Sequence, residues 1–354
     1  MIEVATSVGR IAYGPVAAAD VPGLLAAGLL EGGAHRLRLG RPEEIPFLAR
    51  QTRRTFARCG IVDPLSIENY RAHGGTQGLA RARELGPTAT IEEVTQSGLR
   101  GRGGAGFPTG IKWRTVADAV GSRKYIVCNA DEGDSGTYAD RMLMEGDPFP
   151  LIEGMAIAGF AVGAGKGYVY TRSECPHAIV TFDAALVIAR RQGLLGDGFD
   201  IEQRVGAGAY ICGEETSLLE SLEGKRGQVR AKPPLPAHQG LFGMPTVVNN
   251  VISLASVPSV LTGGAARYNE IGVGRSRGTM PIQLAGNVKY AGLFEAGFGL
   301  TLGEIVNDIG GGTAGRRDHG GRRQPDRRAS GVCVAHAQAT APGGEADRHR
   351  SAAH

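Results

Sequence analysis

A chain of 354 residues with 42% apolar residues is long enough to bury a core in two or three domains, and it reads as globular over most of its length. Its formal charge of +4 belongs to one end: residues 310–354 hold eight of the 39 Lys and Arg and four of the 35 Asp and Glu, leaving 31 of each elsewhere. That balance excludes an electrostatic case for nucleic-acid binding by the folded part. Five widely separated cysteines without a C-x-x-C pair exclude a disulfide framework or zinc site and fit a reducing cytoplasm, and the most apolar long window, 151–165, carries Glu153 and four glycines, unlike a signal peptide or spanning helix.

In chain order, residues 4–16 alternate loosely around Gly9 and Gly14 and predict a hairpin; Asp20 then caps a helix over 21–30 that stops at Gly32-Gly33. This piece, 1–40, is too small to be a domain alone and reads as a fragment of one. Residues 41–95 are a connector of short Arg-rich helical pieces broken at Asp63-Pro64 and Gly74-Gly75. Apolar residues three apart over 90–97 give a short helix with Thr90 as its cap.

Residues 97–113 follow, with six glycines in seventeen residues, Arg100, Arg102 and Lys112. Glycine permits φ > 0 and leaves backbone N–H groups open to an anion, while Arg102 and Lys112 supply charge, so a phosphate-bearing cofactor is expected. Gly101-x-Gly103-x-x-Gly106 also matches the dinucleotide fingerprint, but that turn requires a buried strand before its first glycine and a helix is predicted there instead. An ordinary dinucleotide turn, a plain surface loop and a different nucleotide or flavin loop all remain open at this point.

Beyond the loop come a helix at 113–120, a buried strand at 124–129, helices at 148–163 and 176–192, and strands at 168–171 and 207–212. Strands alternating with helices give an α/β fold with a mostly parallel, doubly wound sheet. Asn129-Ala130-Asp131-Glu132-Gly133-Asp134 ends the first strand, where polar side chains face a ligand crevice; a solvated turn is the plain alternative. Glu214 and Glu215 follow the strand at 207–212 and could equally serve the first turn of the next helix as caps and dipole partners.

Lys232-Pro233-Pro234-Leu235-Pro236 is stiff and extended, and Asn249-Asn250 opens a helix over 251–261, one asparagine capping it and the other free for a ligand. From 279, two strands about an Asn287 turn and the capping box Thr301-x-x-Glu304 form a separate small β/α unit. Residues 310–354 then contain no Leu, Ile, Phe, Tyr, Trp, Met or Lys, and read as disordered. The abruptness of the change favours a reading-frame shift in a GC-rich gene over a basic interaction tail; an intact frame on resequencing would rule the shift out.

Taken together, residues 100–113, 128–148, 207–224 and 240–251 resemble, in order and spacing, the NADH-oxidising flavoprotein subunit of respiratory complex I and its soluble relatives in NAD-reducing hydrogenases and NAD-dependent formate dehydrogenases. The variant Asp134-Ser135-Gly136-Thr137-Tyr138 and residues 51–60 are most similar to the formate dehydrogenase beta subunit. The resemblance implies a Rossmann-like FMN-binding domain at 96–265 and a partial β-grasp domain at 275–309, with 1–40 as a remnant of a thioredoxin-like domain. It implies FMN held by Gly101, Arg102, Gly103, Gly104 and Lys112, with Phe107 stacking near the adenine of NADH. Asn129, Asp131 and Glu132 would hold the ribityl chain and flavin edge, Asp134 would lie close to the nicotinamide, and Glu215 would face NADH. Tyr210, Gly213 and Glu214 would complete the pocket, closed by Val248, Asn249 and Asn250. Leu235 replaces an aromatic found in relatives, which weakens one stacking contact.

The implied reaction is hydride transfer between NAD(H) and FMN, which needs alignment and a dry site more than a protein acid or base. Implied partners are a [2Fe–2S] thioredoxin-like small subunit and an iron–sulfur or molybdopterin large subunit, in a cytoplasmic assembly, peripheral to a membrane at most, with no direct insertion. The family's [4Fe–4S] cysteines are absent from this sequence, in which Cys333 stands alone. Both ends therefore read as truncated. A non-catalytic remnant or scaffold, and an ordinary dinucleotide dehydrogenase, are the competing readings.

Overall fold

In the computed structural model, the structure describes residues 1–134 and 136–313, and beyond them the backbone of Arg316–Arg317, Arg323–Gln324 and Val332–Ala335. The predicted disordered tail lies otherwise outside the described residues. The chain divides into two compact units, Met1–Thr52 and Arg53–His354.

The first unit is an antiparallel sheet, β1 (Ile2–Thr6), β2 (Gly9–Tyr13) and β3 (Arg38–Gly40), with α1 (Val21–Ala26) and α2 (Pro46–Ala49). Ile11, Tyr13, Leu24 and Leu29 form its core. The predicted hairpin is β1–β2, but Asp20 makes no side-chain cap to α1; its carboxylate accepts from the Ala17 N–H at 2.9 Å and pairs with Arg36.

The second unit opens with α3 (Ile67–Ala72), α4 (Gln77–Leu85), α5 (Pro87–Gln96) and α6 (Thr109–Asp118). Helix α5 starts three residues before the predicted cap because Pro87 suits the first turn, so Thr90 lies inside it, its hydroxyl donating back to Gly86 O at 2.8 Å. Then come β4 (Tyr125–Ala130), α7 (Ala139–Gly146), α8 (Phe149–Val162), β5 (Lys166–Arg172), α9 (Pro176–Arg191), β6 (Asp200–Gly206), α10 (Glu215–Leu222), α11 (Pro236–Gln239), β7 (Thr246–Asn250), α12 (Val251–Gly263) and α13 (Ala265–Asn269). Short strands β8 (Gly272–Val273) and β9 (Ser276–Arg277) lead to the antiparallel pair β10 (Thr279–Gly286) and β11 (Gly292–Gly297). Backbone at Val332–Ala335 pairs with β10 on its other side.

The four strands β6–β5–β4–β7 form one parallel sheet. Period-two alternation divides it into two faces. Ile126, Cys128, Val169 and Val247 pack with the helices of the main core, whereas Tyr125, Val127, Tyr170 and Val248 pack with Cys212, Leu218 and Leu219 on the other side. On the first face α8 and α12 cross closely, because Gly154 removes a Cβ that would lie 2.0 Å from the Leu254 carbonyl oxygen. The chain runs β4, β5, β6 outward, then returns to place β7 on the far side of β4. That reversal is a topological switch point, where the carboxyl ends of neighbouring strands leave a crevice.

Two expectations about the strands also change. The strand predicted at 207–212 is β6, Asp200–Gly206, and Tyr210–Gly213 is a 3-10 turn beyond it. The edge position of β6 explains this, since a strand buried on few of its residues carries polar ones, whereas Tyr210, 70% exposed, is in the turn. Residues 246–250, expected only as the approach to a helix, form the fourth strand.

Candidate functional site

The glycine loop joins α5 to α6 as a pinched hairpin: Gly101 N–H donates to Phe107 O at 2.8 Å and Thr109 N–H to Leu99 O at 2.9 Å. Inside the pinch, Gly104 and Gly106 take φ of +113° and +59°, conformations that L side chains rarely adopt. The N–H groups of Gly103, Gly104, Ala105 and Gly106 have no hydrogen-bond partner among the described residues. A row of open N–H groups is an anion cradle.

The loop faces the switch point, and two adjoining cavities lie there. One, of about 320 Å³, is lined by Glu132, Gly133, Asp134, Thr137, Asp140, Tyr210 and Ile211. The other, of about 420 Å³, is lined by Gly101, Phe107, Lys112, Glu215, Leu235, Val248 and Asn249. Gly103, Asn129, Gly213, Glu214 and Asn250 line both. Parallel register brings Asn129 of β4 opposite Asn250 of β7, so the two strand ends present amides side by side.

Each of these polar groups is held by its neighbours. Asn129 donates to Gly213 O at 2.8 Å and accepts from the Asp131 N–H at 3.1 Å, tying two turns together. Asn250 caps α12 by accepting from Ile252 N–H at 2.9 Å, and its amide donates to Asp140 at 2.6 Å. Asn249, expected to be free, accepts from the Trp113 indole at 3.0 Å. Glu132 accepts from the Asp140 and Arg141 N–H groups at 3.0 Å each, holding the start of α7. Tyr210 donates to Asp134 at 2.9 Å, and that carboxylate pushes the phenol's pKa up.

The acids on the Glu214 turn are paired with cations. Glu214 caps α10 through Thr216 and Ser217 N–H, and Lys232 Nζ reaches Glu214 at 2.8 Å and Glu215 at 2.9 Å. Burial raises the Glu214 carboxyl, but the bonds from Lys232, Thr216 and Ser217 override it and hold the pKa down at about 2. Lys112 Nζ donates to Val248 O at 2.8 Å and lies 3.5 Å from Glu215.

Three of the sequence-predicted residues stand apart. Arg102 and Gly104 line neither cavity but a small recess behind the loop with Ser276, Met280 and Phe298. The Arg102 guanidinium is turned onto backbone carbonyls, so its charge is not presented to the crevice. Asp131 is 2% exposed, behind Gly133 and Gly213; its Oδ1 has no partner among the described residues, and burial first, partly offset by Arg172, raises it to about 6. Conversely, Asp140 and Lys232 were missed. Asp140 lies in the first turn of the short amphipathic helix α7, on its buried side where it lines a cavity, and burial together with Glu132 raises its pKa. Lys232 had only its prolines to mark it.

The fold and site define a doubly wound α/β domain with an anion-cradling loop over its switch point, the arrangement of a nucleotide or flavin binder. Residues 94–259, not quite half of the chain, match the Nuo51 FMN-binding domain. It is 47% identical over 270 residues to the NADP-reducing hydrogenase subunit HndC of Solidesulfovibrio fructosivorans, covering 74% of this chain and 55% of that protein. It is 48% identical to an NADH-quinone oxidoreductase subunit of Rhizobium meliloti, covering 71% of this chain and 62% of the relative. Among solved structures, the NAD⁺-reducing [NiFe]-hydrogenase in the H₂-reduced state matches with a TM-score of 0.63 and 39% identity, over 69% of this chain and 43% of the other. The chain thus spans a little over half the length of the curated relatives it matches. No helix among the described residues is long and apolar enough to cross a membrane.

Proposed function

We propose that this chain is the NADH-oxidising flavoprotein module of a multi-subunit oxidoreductase, moving hydride between NAD(H) and FMN. The observation that carries the reading is the pair of cavities with a common wall at the switch point, roofed by a loop whose open N–H groups suit a phosphate. Their volumes, about 320 and 420 Å³, fall in the range of ligand sites. The residues fit FMN: Gly101, Gly103 and Lys112 would hold its phosphate side, Asn129, Glu132 and Asn250 its polar chain and edge. At Gly103 a Cβ would stand 3.0 Å from the Asn250 Cβ, so the loop must be bare to lie that close.

FMN, when bound, supplies the hydride-accepting ring and the ability to release electrons singly. The chain's part is to bind, align and keep water out. Phe107 and Leu235, each 49% exposed on the larger cavity, offer apolar surface to an adenine. Asp134, fixed by Tyr210, and Glu215, fixed by Lys232, offer acceptors to the dinucleotide.

Onward electron transfer to iron–sulfur partner subunits belongs to the same proposal; the relatives named above are subunits of such oxidoreductases. Within it, the Asp134–Tyr138 variant and residues 51–60 favour a formate dehydrogenase-type assembly. The test is reconstitution with FMN and anaerobic addition of NADH. Bleaching of the flavin absorbance is expected, and a protein that takes up no flavin would refute the reading.

A further inference from the structure

We infer that Arg102 is a positioning residue: it latches the glycine loop onto the β10–β11 sheet, so that the flavin-holding shape of the loop is set by that sheet. This rests on the flavin reading of the site, and it gives Arg102 a part other than contact with phosphate.

A guanidinium carries five N–H donors and no acceptor. Here Nε donates to Thr279 O at 3.1 Å, Nη1 to Arg100 O at 2.6 Å, and Nη2 to Arg277 O at 2.7 Å and the Tyr268 hydroxyl at 3.3 Å. The Phe298 ring closes the socket, 4.8 Å from the guanidinium carbon. The residue is 6% exposed, so a ligand phosphate would have to break several of these bonds to engage it. Lys112, another cation of the stretch, lines the larger cavity instead.

The loop is fixed from two further directions at the same point. Arg102 N–H donates to Ser253 Oγ on α12 at 2.8 Å, and Gly103 abuts Asn250. The sheet that carries the socket is itself anchored. Thr279 Oγ1 donates to Glu295 at 2.5 Å, and the buried Glu295 carboxylate accepts from the N–H groups of Arg54, Thr55 and Phe56 at 2.9–3.0 Å. A continuous run of bonds therefore joins residues 54–56, the small sheet and the loop. Gly101 and Gly103, which flank Arg102, both line the cavities, so movement at 102 is transmitted directly to them.

The test compares the parent chain with Arg102→Lys, which keeps the charge and loses the planar fork. Two readouts are FMN dissociation constant, from quenching of flavin fluorescence, and hydrogen exchange at the bonded loop amides of Leu99, Gly101, Arg102 and Thr109 in the FMN-free protein. At least tenfold weaker FMN binding with exchange faster by a similar factor, confined to the loop and the β8–β10 segment, is expected. Unchanged affinity, or weaker binding with unchanged loop exchange, would overturn the proposal, the latter pointing to direct contact with the ligand. Tyr268→Phe, which removes one acceptor, should give a smaller shift in both readouts and decides the matter if Arg102→Lys does not fold; no shift in either there also overturns the latch. A parent chain that binds no FMN sinks the proposed function alone, since loop exchange still tests the latch.

Discussion

The turn after β4 and the turn before α10 both bring carboxylates to the carboxyl edge of the same sheet, yet their acids sit in opposite electrostatic states. Asp131, buried without a partner for Oδ1, is raised to about 6; Glu214, capping α10 and bonded to Lys232, is lowered to about 2. Both are carboxylates near the same sheet edge, and deeper burial of Asp131 together with the bonds supplied to Glu214 makes the difference. The charge facing a bound anion therefore cannot be counted from the acids in the sequence.

Glu214→Ala should show the largest effect, costing roughly 1–2 kcal/mol from the lost cap alone. Because the folded pKa lies below the unfolded one, this contribution is present above about pH 4.5 and fades toward pH 2. Thermal melts of parent and variant should differ at pH 7 and converge as pH falls through that window; parallel curves would break the comparison. Asp131→Asn should behave oppositely. A carboxyl raised from 3.8 to about 6 makes the parent lose stability as pH climbs between those values, so the variant should be more stable at pH 8, by roughly 1 kcal/mol once solvent screening is allowed for. If Asp131 also serves the flavin, FMN titration will show weaker binding in this more stable protein.

Leu235→Phe sharpens the reading of the larger cavity. A stacking ring on the cavity that Phe107 also lines is worth about 0.5–1.5 kcal/mol, so the NADH dissociation constant should fall roughly two- to tenfold. Tyr210→Phe should change least, leaving the melting temperature where it was, because the phenol is 70% exposed and only its bond to Asp134 is lost. Its readout is the rate of flavin reduction by NADH, expected to slow if Tyr210 fixes Asp134.

Much of this arrangement was legible in the sequence. Apolar runs at 124–129 and 168–171 marked β4 and β5 because both strands are buried on both faces, and the glycine loop and strand-end polar residues stood out by composition. The polar edge strand β6 was misplaced, since its residues Glu202, Gln203 and Arg204 look like loop until a neighbour supplies the ladder. The contrast between Arg102 and Lys112 was invisible: both are cations of one stretch, and two of the three carbonyls that capture Arg102 belong to residues 277 and 279, far along the chain. The tie between Asp140 and Asn250 was hidden in the same way by 110 residues of separation.

The wall that Gly103, Asn129, Gly213, Glu214 and Asn250 present to both cavities has a bearing on traffic through the site. Three of these five residues have short polar side chains or carboxylates already engaged with the protein, and two have no side chain, so the partition is thin. A guest in one compartment becomes part of the lining of the other.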